Sequence, residues 1–136
     1  ITGATAPELM LLYFDSPGEN VTMRVQTGQI SITGYRSLQF SFKHYVDHWD
    51  SASPRTYELF VETSTDNGVT FKPTKWLIYP SDYSDGVNDT YVGPETVTIK
   101  LNGLKADSIK FTWVLNGVGY DIDCWYIDDV LLTGIQ

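Results

Sequence analysis

The amino-acid sequence predicts an all-β domain, built as a two-sheet antiparallel β-sandwich. Three observations predict it: side-chain polarity alternates with a period of two, glycine, proline and asparagine separate the alternating runs, and no stretch has the apolar spacing of a helix. Successive side chains of a strand point to opposite faces, so each run buries one face and exposes the other. Two sheets then pack face to face, because one sheet cannot cover its own apolar face.

The alternation is clearest from residue 38, where Leu38, Phe40 and Phe42 share one face, and again where Phe111 and Trp113 do so. Eight or nine strands are predicted, near residues 9–14, 21–26, 28–32, 38–45, 56–64, 75–79, 95–101, 108–115 and 123–132. Three Asn-Gly pairs tolerate the positive φ of tight turns and are predicted to be turns, at Asn67-Gly68, Asn102-Gly103 and Asn116-Gly117. Residues 80–94 form the longest irregular stretch, a plausible functional loop.

Composition narrows the class of protein. The 136 residues make up a single predicted domain, 1–136, and their 42% hydrophobic content excludes a disordered tail. Nine basic against 17 acidic residues leave a net charge of -8, which argues against nucleic acid as a partner. No apolar run is long enough for membrane insertion. The chain starts at Ile1 without a signal sequence, so we read it as a mature fragment or an excised module.

The segment 64–71 carries a turn motif. Its residues fit S-x-D-x-G-x-T-F, which resembles the Asp-box hairpin of sialidase-type and many secreted β proteins. The serine and aspartate side chains accept hydrogen bonds from turn amides, and the glycine supplies positive φ. We interpret the segment as a folding device that is typical of secreted proteins.

The end of the chain carries a second motif, Trp125-Tyr126-Ile127-Asp128-Asp129-Val130-Leu131-Leu132. It resembles the last strand of MAM-type jelly-roll domains and of the cleaved-adhesin modules of bacterial surface proteases. The order of the segments 6–9, 30–35 and 38–45 is similar to that group as well. The resemblance implies jelly-roll topology and an extracellular, cell-surface location. The family pattern also has an acidic N-terminal strand that is not recognisable here, so that strand is trimmed or exchanged between molecules.

The adjacent carboxylates Asp128 and Asp129 point to a calcium site. On a regular strand they face opposite sides, so one is expected towards the apolar interior or the sandwich end, where it needs a cation or backbone donors. Calcium binds six to eight oxygen ligands of this kind. The candidate co-ligands are Asp121, Asp123, Asp47 and Asp50. With calcium bound, EDTA is expected to lower the melting temperature. A metal-free alternative, a carboxylate held by loop amides, stays open.

Three other sets of residues that could bind a metal or react have simpler structural interpretations. The acidic loop residues Asp82, Asp85, Asn88 and Asp89 are more typical of a solvated turn than of a second calcium site. His44 and His48 do not match a tetrahedral zinc site, and His44 shares the face of Phe42, which predicts a core histidine. Cys124 lies in an apolar strand, where thiols act as small hydrophobes.

Aromatic residues suggest a binding surface. The chain has 4 Trp, 9 Tyr and 6 Phe, more than one small core requires. Loop aromatics beside acids stack on sugar rings or anchor protein contacts, although they also cap the open ends of sandwiches. The candidates are Trp49, Tyr83, Tyr91 and Tyr120.

These features predict a binding module without catalytic activity, since no nucleophile motif or phosphate loop is present. The main hypothesis is a calcium-stabilised adhesion or accessory domain that binds a cell-surface protein or glycan, within a larger chain. One alternative is a carbohydrate-binding module that uses the loop aromatics. Another is a structural subunit that assembles with copies of itself by strand exchange.

Overall fold

The computed structural model describes residues 9–11, 19–49, 54–86 and 89–135. They form nine strands, β1 (Leu9–Leu11), β2 (Asn20–Gln26), β3 (Ile30–Ser31), β4 (Ser37–His48), β5 (Tyr57–Ser64), β6 (Lys72–Ile78), β7 (Thr90–Asn102), β8 (Ser108–Val118) and β9 (Ile122–Ile135). Short 3-10 helices lie at Pro80–Tyr83 and Gly119–Asp121. No helix in this described part of the chain is long and apolar enough to cross a membrane.

The strands form two antiparallel sheets. Sheet A has the order β1-β9-β4-β7, and sheet B has the order β2-β8-β5-β6, with β3 also paired to β8. Apart from the consecutive strands β5 and β6, neighbours in the two sheets are far apart in sequence, as β9 and β4 are, which is the jelly-roll arrangement. The predicted fold class is therefore confirmed.

The core lies between the sheets and follows the alternation in the sequence. Every second residue of β4 is buried, and the others are half-buried. Phe40 of β4 stacks on Phe111 of β8, with ring centroids 3.8 Å apart, while Phe42 meets Trp113 edge to face. A buried aromatic side chain of this kind contributes roughly 1.5–3 kcal/mol to folding.

The strand boundaries differ most from the sequence prediction at residues 90–94 and at Asn116-Gly117. Residues 90–94, expected to be irregular, belong to β7, because they pair with the end of β4. The predicted turn at Asn116-Gly117 is wrong: both residues lie inside β8, where Gly117 faces Tyr57 of β5. A Cβ on Gly117 would lie 2.4 Å from the backbone oxygen of Thr56, so close strand approach explains this glycine.

The turn after β5 has the hydrogen bonds that its motif predicts. Ser64 Oγ accepts a bond from the Gly68 amide at 2.8 Å and donates one to Asp66 Oδ1 at 2.8 Å. The Thr70 amide donates to the same carboxylate at 2.9 Å. Hydrogen bonds from the Thr70 hydroxyl, which has the largest effect, from the Thr70 amide and from the Ser64 hydroxyl lower the pKa of the Asp66 carboxyl to about 2. The charged carboxylate thus stabilises the turn.

Candidate functional site

The outer face of sheet A carries three neighbouring tyrosines. Because residues opposite each other in a ladder share a face, Tyr45 of β4 and Tyr126 of β9 point the same way, away from the core. Their ring centroids are 6.1 Å apart. Tyr91 of β7 stacks nearly parallel to Tyr45, at 5.9 Å and 14°. We call Tyr45, Tyr91 and Tyr126 the tyrosine platform.

A carboxylate and a thiol border the platform. Asp47 lies opposite both Tyr91 and Cys124, so all three share the outer face. Asp47 is half-buried, and burial raises the pKa of its carboxyl, as do the charges of Asp123 and Asp89. Its Oδ1 atom is buried and has no hydrogen-bond partner in the described part of the protein. One oxygen of this carboxylate therefore lacks a donor, while the side chain as a whole stays half-exposed beside the tyrosines.

The same carboxylate acts on the tyrosine hydroxyls. Burial and then the charge of Asp47 raise the pKa of Tyr45 to about 12. The charge of Asp47 is also the largest cause that raises the pKa of Tyr91. Both phenols therefore remain protonated at neutral pH, where each offers an O–H donor beside an apolar ring face.

A β-bulge brings Tyr91 next to Tyr45. The register of β4 and β7 shifts just after His44, and Gly93 in this bulge has a φ of 91°. A Cβ on Gly93 would lie 2.6 Å from the backbone oxygen of His44, so glycine is required. On the inner side, His44 Nε2 is hydrogen-bonded to Glu95 Oε1 at 2.9 Å, which ties β7 to the core.

The two histidines each have a side-chain partner, and the buried position of His44 is the one that the alternation predicts. His44 is fully buried, and burial lowers its pKa despite the neighbouring carboxylate of Glu95. His48 is buried as well, and its Nδ1 atom is hydrogen-bonded to the Tyr57 hydroxyl at 2.9 Å.

The predicted binding aromatics separate into three places. Tyr91 belongs to the platform. Trp49 and Tyr120 form an edge-to-face pair at one end of the sandwich, 5.4 Å apart, and about two-fifths of each is exposed. Tyr83 lies in the 3-10 helix after β6, next to Asp82, and no ring contact within the described ranges joins it to the other three.

The predicted calcium ligands do not converge on one point in the described part of the chain, where no group of three or more His, Cys, Asp or Glu side chains could hold a metal ion. Asp121 is buried and accepts a bond from the Thr56 hydroxyl at 2.6 Å. Asp123 is exposed on β9, near Asp47. Asp50 lies outside the described residues. Calcium binding stays a prediction.

The expected position of Asp128 or Asp129 in the interior is wrong. A register shift marks a β-bulge in β9 after Asp128, and Asp129 has a φ of 50°. The bulge breaks the strict alternation, so both carboxylates lie on the outer side. Asp128 faces Lys43 of β4, and Asp129 forms an ion pair with the same lysine at 3.1 Å.

Asp82 and Asp89, two carboxylates of the acidic loop, have different neighbours. Asp82 forms a bidentate pair with Arg55, with both contacts at 2.9 Å. Asp89 lies near Asp47 instead, and Asn88 lies outside the described residues. Cys124, interpreted from the sequence as a small hydrophobe within an apolar strand, is half-buried on the outer face, where burial and the charge of Asp47 raise its pKa.

Sequence reasoning missed Tyr45 and Tyr126 as site residues. The signal was available: both alternate with core residues on long strands, so both occupy the face that is normally polar. A tyrosine on such a face is a binding candidate. The sequence prediction concerns aromatic residues in loops, whereas both of these residues lie inside strands.

The family assignment comes from the whole length of the chain. A family model described as Reelin subrepeat B matches residues 4–133. The chain belongs to the Reelin subrepeat B family. This membership supports the predicted β-sandwich module, whereas the MAM-type resemblance is not confirmed. No curated protein matches the chain at a significant level.

Several solved structures are similar to this family member. The module TmCBM61, solved in complex with β-1,4-galactotriose, has a TM-score of 0.50 and 12% identity, covering 98% of this chain and 92% of its own. The C-terminal domain of the sugar-binding protein EclA has a TM-score of 0.49 and 8% identity, covering 90% and 83%. A structure titled CBM4 has a TM-score of 0.46 and 13% identity, covering 98% and 92%. At 12% identity the likeness to TmCBM61 concerns the fold alone.

Proposed function

We propose that this domain is a non-catalytic carbohydrate-binding module that binds a glycan on the tyrosine platform. The observation that carries the proposal is the parallel stack of Tyr45 and Tyr91, with Tyr91 55% exposed on a strand face. Flat aromatic faces bury the apolar side of a sugar ring at low entropic cost. The phenol hydroxyls and the Asp47 carboxylate supply polar partners for sugar hydroxyls.

The likeness to TmCBM61 supports a glycan over a protein as the ligand, because that module was solved with a galactotriose and shares the fold over almost the whole chain. The carbohydrate-binding alternative from the sequence therefore has better support than the broader adhesion hypothesis. A module of this kind acts as an accessory to a larger protein, outside the cell or on its surface. We place the domain there as part of the proposal.

The test is a glycan-array screen followed by calorimetry on the glycans that bind. Tyr91→Ala is expected to weaken binding by about tenfold or more, equivalent to about 1.4 kcal/mol, because it removes an exposed stacking face. Tyr83→Ala is the matched control, since Tyr83 is 54% exposed against 55% for Tyr91 and lies outside the platform. Equal losses in the two variants, or an array without any binding, would refute the proposal.

A further inference from the structure

Two carboxylates bracket the tyrosine platform along the strand direction. Three successive rungs of the β4/β9 ladder on the outer face pair Lys43 with Asp128, Tyr45 with Tyr126, and Asp47 with Cys124. At about 3.3 Å per residue, the outer rungs lie about 13 Å apart along β4. A glycan that covers the tyrosines along the strands therefore reaches a carboxylate at each end.

Both carboxylates are short of hydrogen-bond donors. Asp47 Oδ1 and Asp128 Oδ2 are buried, and neither has a hydrogen-bond partner in the described ranges. Both side chains are half-buried, and a ligand that covers the platform displaces water from the exposed part of each carboxylate, which is costly unless the ligand brings donors. Sugar hydroxyl and ammonium groups donate such hydrogens, whereas ionised carboxylate and sulfate groups do not.

Charge near the platform is negative. The carboxylates of Asp123 and Asp89 lie close enough to Asp47 to raise its pKa further after burial has raised it. Lys43, the basic residue on the adjoining rung, is already paired with Asp129 at 3.1 Å. The carboxylates near the platform would therefore repel an anionic ligand, and the lysine of the adjoining rung is already engaged by Asp129.

We infer that the platform binds glycans made of neutral or amino sugars and rejects acidic glycans, and that Asp47 is the residue that sets this preference. The inference rests on the proposed function and adds the class of ligand to it. The hydroxyl or ammonium groups of the glycan donate to Asp47 at one end of the platform and to Asp128 at the other. A carboxylate or sulfate at the same positions leaves both residues without donors and adds a repelled charge.

The experiment compares matched glycans at low salt on an array that carries each backbone in neutral form and with an added carboxylate or sulfate. Chitotriose and its fully deacetylated form provide the neutral and cationic pair. Acidic members are expected to bind about tenfold more weakly than their neutral partners, and the deacetylated trimer is expected to bind at least as tightly as chitotriose.

Asp47→Asn tests the residue, because the amide keeps the shape of the side chain and removes its charge. We expect it to narrow the gap between neutral and acidic partners by about fivefold. Asp128→Asn is the second variant, which is expected to narrow the same gap. Asp107→Asn is the control for net charge: in the described part of the chain only the backbone carbonyl of Asp107 accepts hydrogen bonds, and it lies beside Ile32 and Thr33. Thermal melting checks that each variant is folded.

The outcomes separate the two proposals. Binding of neutral and acidic partners with equal affinity overturns the inference about Asp47 and leaves glycan binding intact. An unchanged gap between neutral and acidic partners in Asp47→Asn does the same, whatever the result for Asp128→Asn. An array on which no glycan of any charge binds overturns the proposed function, and the inference with it.

Discussion

Some side chains of this domain have surroundings that a local sequence pattern determines. The hairpin at 64–71 is such a case, since all its bonds join residues close in sequence. His44 is another, because the alternation places it on the buried face. The platform differs: Tyr45, Tyr91 and Tyr126 come from three strands, so their meeting depends on register between distant segments.

The Asp66 carboxylate gives a prediction for acid stability. Its pKa falls from 3.8 to about 2 on folding, so its charge stabilises the native state above pH 3.8 and this contribution is lost as pH falls towards 2. Asp66→Asn removes the titration. We expect the variant to melt at a lower temperature at neutral pH and to lose less stability than the wild type over this acid range.

Thermal melts from pH 7 to pH 2 measure the effect, with Asp107→Asn as the control. His44 adds a second pH dependence of stability at higher pH. Burial lowers its pKa below the 6.5 of the unfolded chain, so the unfolded chain gains a proton first as pH falls, and the folded state becomes less stable. This loss should be common to all three proteins. Parallel curves for wild type and Asp66→Asn below pH 4 would contradict the assignment.

Strands could be predicted as elements, but their ends and irregularities could not. The period of two identified β4 and β8, while the structure extends them to His48 and Val118, because pairing with neighbouring strands continues past the apolar run. The bulges after Asp128 and at Gly93 could not be predicted from the sequence either, because each is a shift in register against a partner strand that is distant in sequence. The turn predicted at Asn116-Gly117 is wrong for a related reason: the glycine is needed where β8 approaches the partner strand β5 closely.

Gly117 gives a prediction at this scale. Its φ is 124°, and a Cβ would lie 2.4 Å from the Thr56 oxygen and 2.6 Å from Tyr57 Cα. Gly117→Ala therefore combines backbone strain with a clash between strands, and it is expected to reduce the free energy of unfolding by about 1–3 kcal/mol or more. Urea denaturation followed by circular dichroism measures it.

Gly28→Ala is the matched control for that substitution, because a Cβ at Gly28 has no atom within 4 Å. It should leave the free energy of unfolding nearly unchanged. A similar loss of stability in both variants would show that the contact between β8 and β5 does not determine the choice of glycine at position 117.

The two-sheet architecture of the whole molecule is the feature that the sequence predicts best. Alternating strands without helical segments require two packed sheets, and the sandwich follows from that requirement. Which outer face carries the tyrosine platform could not be deduced from the sequence, because the order β1-β9-β4-β7 brings together strands from both ends of the chain. The sequence interpretation accordingly put the ligand at the loops, whereas the structure offers a strand face with two acceptors and three rings.

The most direct test of glycan binding on this face is an NMR titration of the 15N-labelled domain with the neutral glycan that binds tightest on the array. The account predicts that the largest amide shift changes fall at residues 45–47, 91–92 and 124–126, with residues 80–83 nearly unaffected. Changes confined to the ends of the sandwich around Trp49 and Tyr120, with the strand amides unmoved, would contradict it.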